Sequence, residues 1–133
     1  MPTNVTVTTN LQWTPPSAPV NSGNASMSVV ASINAQNVGS IDVQTTDTSP
    51  TTFAIPFGSI SAAKVLLIKN MMSSDISVRL NGDNADTFRI PSGGAIHYAA
   101  PATPGSVPIS SVTVITTVTP TQVETIHYFV FGD

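Results

Sequence analysis

"SISAAKVLLIKN", residues 59–70, decides between a mixed fold and an all-β one. It is the strongest helix candidate in the chain, yet its apolar run is only Val65-Leu66-Leu67-Ile68. A run that short shows no 3.6-residue stripe and suits a buried strand, with at most one helical turn ahead of it. Outward from this stretch, period-2 alternation dominates. Val5 and Val7 alternate with threonines, and Met27, Val29, Ala31 and Ile33 alternate with Ser28, Val30 and Ser32. Ile41 and Val43 flank Asp42; Ile76, Val78 and Leu80 flank Ser77 and Arg79; Val112 and Val114 flank Thr113. Phe53, Ile55 and Phe57 form a further set, which Pro56 marks as an edge or a strand end. Ile126, Tyr128 and Val130 alternate with His127 and Phe129, so "HYFVFGD" is apolar on both faces and reads either as a central strand or as one lying under an oligomer contact, tied into a sheet.

Eleven prolines and eight glycines separate these segments. The pattern predicts an all-β chain: a single antiparallel β-sandwich, jelly-roll or Ig-like, of about eight to ten short strands. A length of 133 residues is that of one domain with a core of its own. Charged residues make up 8% of the chain, far below the usual ~25%. Thr, Ser and Asn supply the polar surface instead, and β-branched Thr and Val favour strands.

Composition also narrows function. Net charge is −3 with four basic residues, too few for a patch that tracks phosphates, so nucleic acid is not an expected partner. There is no apolar run of membrane-spanning length and no polybasic segment, so neither is a membrane. "MPTNVTVTTN" has no basic n-region or apolar h-region and does not read as a secretory signal. With no cysteine, disulfides, thiolate catalysis and zinc-thiolate sites are excluded.

The N-terminal region stands apart. "LQWTPPSAPVNSGNAS" holds Trp13, Pro15, Pro16, Pro19 and Gly23. Prolines at this density favour extended polyproline conformation. Residues 1–24 therefore read as a first strand and a Pro-rich extended arm, and residues 25–133 as the sandwich. Trp13 either packs back on the core or docks the arm on a neighbour.

One stretch has a claim to chemistry: "VRLNGDNADTFRIPSGGAIHY", residues 78–98. Asp83, Asn84 and Asp86 fail as a calcium loop, because Gly82 comes early and no Glu closes the loop. Asn81-Gly82 instead favours positive φ and a hairpin turn. Pro91-Ser92-Gly93-Gly94 is a second turn, since no Gly-Lys-Ser/Thr follows it. Arg79 and Arg89 flank the acidic turn and are expected to meet Asp83, Asp86 or a partner's carboxylate. His97 and His127 each precede a tyrosine, Tyr98 and Tyr128, and read as half-buried or interface residues rather than metal ligands. No Gly-x-Ser-x-Gly elbow is present, and Glu124 is the only glutamate, so neither acyl transfer nor paired-carboxylate hydrolysis has a set of residues. No enzyme and no cofactor is expected.

The segment "KVLLIKNMMSSDISVRLNGDNADTFRIPSGGAIHY", with "ISSVTVITT" and the final "ETIHYFVFGD", resembles the small β-sandwich virion proteins of tailed bacteriophages. That class includes capsid decoration or cement proteins and small tail or fibre components. The shared pattern is a strand ending in Asn70, a strand over Ile76–Asp83, the Ile90–Gly94 turn and two terminal strands. The resemblance implies a non-enzymatic structural protein of the virion, assembled in the host cytoplasm. It would bind the outer capsid lattice, bridge major capsid protein subunits and act as a homo-oligomer, a trimer in the simplest case. The alternative it leaves open is a tail or fibre component with a receptor- or carbohydrate-binding sandwich. The expected contact residues are Trp13, Pro15, Pro16, Arg79, Asp83, Asp86, Arg89, Tyr98 and Tyr128.

Overall fold

The computed structural model describes residues 2–13, 23–100 and 108–133. Every regular element among them is a strand, and there are ten. β1 (Thr3–Trp13) and β2 (Gly23–Ile33) form a two-stranded ribbon. β3 (Ala35–Val43), β10 (Glu124–Gly132), β5 (Ala63–Asn70) and β8 (Ala95–Ala99) make one four-stranded sheet in that order. β4 (Thr51–Ala54), β9 (Val112–Thr116), β6 (Ile76–Leu80) and β7 (Phe88–Ile90) make the other. All pairings are antiparallel. The 59–70 stretch is the strand it was expected to be, with a turn and bends before it and no helical turn. β4 stops ahead of Pro56, and β10 lies between β3 and β5 as a central strand should.

The eight sandwich strands pair in a nested series. β3 pairs with β10, β4 with β9, β5 with β8 and β6 with β7. It is a long hairpin folded over on itself, closed into two sheets by the β5–β10 and β6–β9 pairings. Alternation then buries every second residue between the sheets. Val43, Leu66, Ile68, Ile126 and Val130 from one sheet meet Ile76, Val78, Ile90, Val112 and Val114 from the other. Tyr128 belongs to the same core, its ring lying beneath Gly39 on the neighbouring strand.

A second, smaller cluster sits on the opposite face of the β3-β10-β5-β8 sheet. There Ala31 and Ile33, with Val5 and Val7, cover Val65, Leu67, Ala99 and Phe131. The ribbon thus lies on the outside of the sandwich. Its base is fastened at Asn34, the bend between β2 and β3. The Asn34 amide donates to the Gly132 carbonyl at 2.9 Å, and its side-chain amide donates to the Asp133 carboxylate at 3.0 Å. The Lys64 ammonium donates to the Ser32 carbonyl at 2.7 Å and pairs with Asp133 at 2.5 Å. Two charges half inside the protein are matched to each other and to a backbone group, which is what keeps the burial of Lys64 from being costly.

Candidate interaction surface

Three features could carry function: the charged β6–β7 hairpin, a cleft at one edge of the sandwich, and the ribbon. The hairpin comes first because the sequence singles it out. Asn81 and Gly82 both have positive φ, 54° and 74°, and the Asp83 amide closes the turn on the Leu80 carbonyl at 3.0 Å. Those angles are what a mirror-image hairpin turn requires, and Asn and Gly adopt them at the least cost. The Asn81 side chain then ties the turn to the approach of β9. It donates to the Pro108 carbonyl at 3.0 Å and accepts from the Ser110 amide at 2.8 Å.

The charges sort themselves differently from the sequence expectation. Arg79 donates to Asp86 at 3.0 Å, and the Ser77 hydroxyl donates to the other carboxylate oxygen at 2.8 Å. Arg89 does not join them; its nearest carboxylate is Asp75, 3.9 Å away and well exposed. The β6–β7 register explains this, since it sets Arg89 opposite Ser77 and so next to the start of β6. Asp83 makes no ion pair among the described residues. The four charges are therefore one bonded pair, one loose pair with Asp75, and a turn carboxylate, not a cluster.

The Ser77 hydroxyl and the Arg79 guanidinium hold the Asp86 carboxyl below its ordinary pKa. A carboxyl whose pKa is lowered in the folded chain adds stability above its unfolded value, near 3.9, and that stability is lost as pH falls through the folded value. Asp86→Asn should therefore lower the unfolding temperature at pH 7, by an amount that shrinks as pH falls below about 4. Thermal unfolding of both proteins from pH 7 into acid checks it; a gap of constant size across that range would contradict the assignment.

The remaining predicted residues scatter. Tyr98 is half-buried on β8 and faces the sandwich interior. Tyr128 is buried in the core, so the expectation of a contact residue there does not hold: its strand parity is that of Ile126 and Val130, which point inward. Trp13 is the last residue of β1, opposite Gly23. Pro15 and Pro16 lie outside the described residues. His97 and His127 are exposed on strands separated by β5, and no group of three His, Cys, Asp or Glu that could hold a metal occurs among the described residues.

The cleft opens where β7 and β8 end the two sheets. It has a volume of about 320 Å³ and is lined by Leu66, Leu80, Phe88, Ile96, His97, Tyr98 and Ile109. The lining is almost wholly apolar. It offers little to sugar hydroxyls, each of which would lose water without gaining a partner.

The ribbon is the feature that sequence reasoning divided in two. Its strands match residue for residue over their whole length, from Thr3 opposite Ile33 to Trp13 opposite Gly23. Cross-strand partners share a face, so Val5, Val7 and Leu11 lie on one side with Ala25, Met27, Val29, Ala31 and Ile33. The inner half of that side is seated on the sandwich. From Thr8 to Gln12 and from Asn24 to Ser28 every residue is exposed. No charged side chain occurs before Asp42. The signal was present in the sequence, as two alternating segments of equal length on either side of residues 14–22 in a charge-free region. Compared with models of known protein families, with curated proteins and with solved structures, the chain matches none.

Proposed function

We propose that the chain is a non-enzymatic structural protein of a bacteriophage virion, a capsid decoration or cement protein. Its copies would associate and clamp neighbouring major capsid protein subunits from outside. The observation that carries this reading is the charge-free β1–β2 ribbon, which leaves the sandwich with an apolar side half uncovered. A two-stranded ribbon with no third strand is marginal in water, and its two free edges invite pairing. Natural chains protect such edges with charges; this one has none, which fits a surface that is covered in its working state.

The sandwich supports the same reading. Four nested antiparallel pairs divided over two four-stranded sheets support the jelly-roll form of the sandwich, an architecture of viral capsid and lectin domains. In this reading the β1–β2 ribbon is the arm, and the Arg79–Asp86 hairpin is a polar contact within the assembly. The tail or fibre reading with a carbohydrate site draws on the same architecture, but the apolar cleft supports it less.

The test is binding to heads of the phage that encodes the chain. The purified protein should co-sediment with them saturably, at a fixed number of copies per capsid subunit, and raise the temperature at which the heads break. Copies per contact should each bury of the order of 1,000–2,000 Å², with affinity raised by repetition over the lattice. Absence of saturable binding to mature heads would refute the decoration role.

A further inference from the structure

The uncovered half of the ribbon has a particular occupant. We infer that it is a second copy of this chain: Leu11 and Met27 of one copy seat on the Val38–Phe129 pair of the next. This deepens the decoration reading, and rests on it for its biological setting but not for its test.

The first observation is within the chain itself. The inner half of the ribbon's apolar side already recognises the outer face of the β3-β10-β5-β8 sheet, covering Val65, Leu67, Ala99 and Phe131. That seat stops short of the next apolar pair on the same face. Val38 and Phe129 stand directly opposite each other on β3 and β10, 50% and 38% exposed. Phe129 is also opposite Leu67 in the β10–β5 register, so the open pair continues the covered patch. The outer half of the ribbon presents the matching chemistry. Leu11 and Met27 are 62% and 71% exposed, on the side that carries Val5 and Val7 further in. One ribbon cannot cover both patches, because its inner half is held on the first by Asn34, Asp133 and Lys64. A neighbour's outer half can cover the second.

Electrostatics permits the contact. The ribbon brings no charge to it, and the β3 side of the seat carries Gln36, Val38 and Ser40. On the other side of the seat, the nearest charged group on that face is Lys69 of β5, opposite His127; it is exposed and donates to the Gly93 carbonyl, at the rim of the contact.

Ribbon and seat are different patches, so the contact closes either as a two-fold dimer, each ribbon on the other copy's seat, or as a ring. That geometry gives a test by mixing. One variant carries Leu11→Glu and Met27→Glu on the ribbon; the other carries Val38→Glu and Phe129→Ser on the seat. All four residues are exposed, and circular dichroism and thermal unfolding verify that each variant folds; Val38→Ser alone replaces the seat variant if it does not. Light scattering at about 100 μM then reads mass, at a concentration above the dissociation constant of any interface of standard size. Wild type should be a closed oligomer, each variant a monomer, and the mixture a one-to-one dimer, because only one good ribbon and one good seat remain. A monomeric wild type, a seat variant that stays oligomeric, or a mixture that stays monomeric overturns the inference. An oligomer formed in this way that fails to bind heads would instead count against the decoration role and leave the interface standing.

Discussion

Gly132→Ala should cost roughly 4 kcal/mol, or leave no soluble protein, although it adds a single methyl group. A Cβ at Gly132 would lie 2.0 Å from the Ala62 carbonyl oxygen and 2.9 Å from its carbon. Both are backbone atoms, so no rotamer change relieves the clash. Gly132 stands where the β5–β10 register shifts, with β5 resuming at Ala63. The neighbouring bonds cannot yield independently. The Gly132 carbonyl accepts from Asn34, the Asp133 amide donates to Ala62 at 3.1 Å, and the Ala62 amide returns to Asp133 at 3.0 Å. Moving Gly132 therefore moves the start of β5 and the base of the ribbon together. Chemical denaturation against wild type measures the loss. A stability within about 1 kcal/mol of wild type would mean that this crossing is looser than described.

Asn70→Asp should cost about 3 kcal/mol at neutral pH, with part of the loss recovered in acid. Asn70 is fully buried at the end of β5. Its side-chain amide donates to the carbonyls of Ser74, Ile90 and Pro91 at 2.9, 3.1 and 3.1 Å, and its oxygen accepts from the Met72 amide at 2.9 Å. Its backbone is bonded to Gly93 and Gly94 as well. One side chain thus joins the β5–β6 connection to the β7–β8 turn. A carboxylate of the same shape would face three carbonyl oxygens with no hydrogen to give. Burial and those oxygens favour the protonated form, so the folded-state pKa rises above the unfolded one. Stability of the variant then improves as pH falls and the carboxyl takes up the proton it needs to donate. Urea unfolding at pH 7 and pH 4.5 distinguishes this from a simple packing defect, which would show no such pH dependence.

The sandwich was legible because its physics is local. A sheet packed on one face buries alternate residues, and Ile76, Val78, Val112, Val114, Ile126 and Val130 carry that period openly. The same parity placed Tyr128 in the core, and its pairing with His127 in "IHY" drew attention away from it. β3 was legible only at Ile41 and Val43, because its first half holds Gly39, kept small by the Tyr128 ring beneath it. β7 spans Phe88–Ile90 only and is too short to alternate. The charged hairpin misled for a different reason. Sequence proximity suggested that Arg79, Asp83, Asp86 and Arg89 would cluster, but cross-strand register decides which side chains meet. It gave Asp86 to Arg79 and Ser77, and Arg89 to Asp75. The ribbon's two alternating segments were legible, but their pairing was not, because pairing is non-local: nothing in Val5-Thr6-Val7 says that its partner lies beyond residues 14–22.

The ribbon is the centre of the functional account, and shortening it tests that account most directly. Thr8 and Ser28 face each other across the ribbon with their hydroxyls 3.2 Å apart. Replacing residues 9–27 by Asn-Gly would close the strands there with a two-residue turn and keep the inner half seated on Val65 and Phe131. The shortened chain should unfold at the wild-type temperature, yet bind phage heads about 100-fold more weakly, since single copies lose the avidity of the assembly. Undiminished binding by a folded, shortened chain would contradict the account.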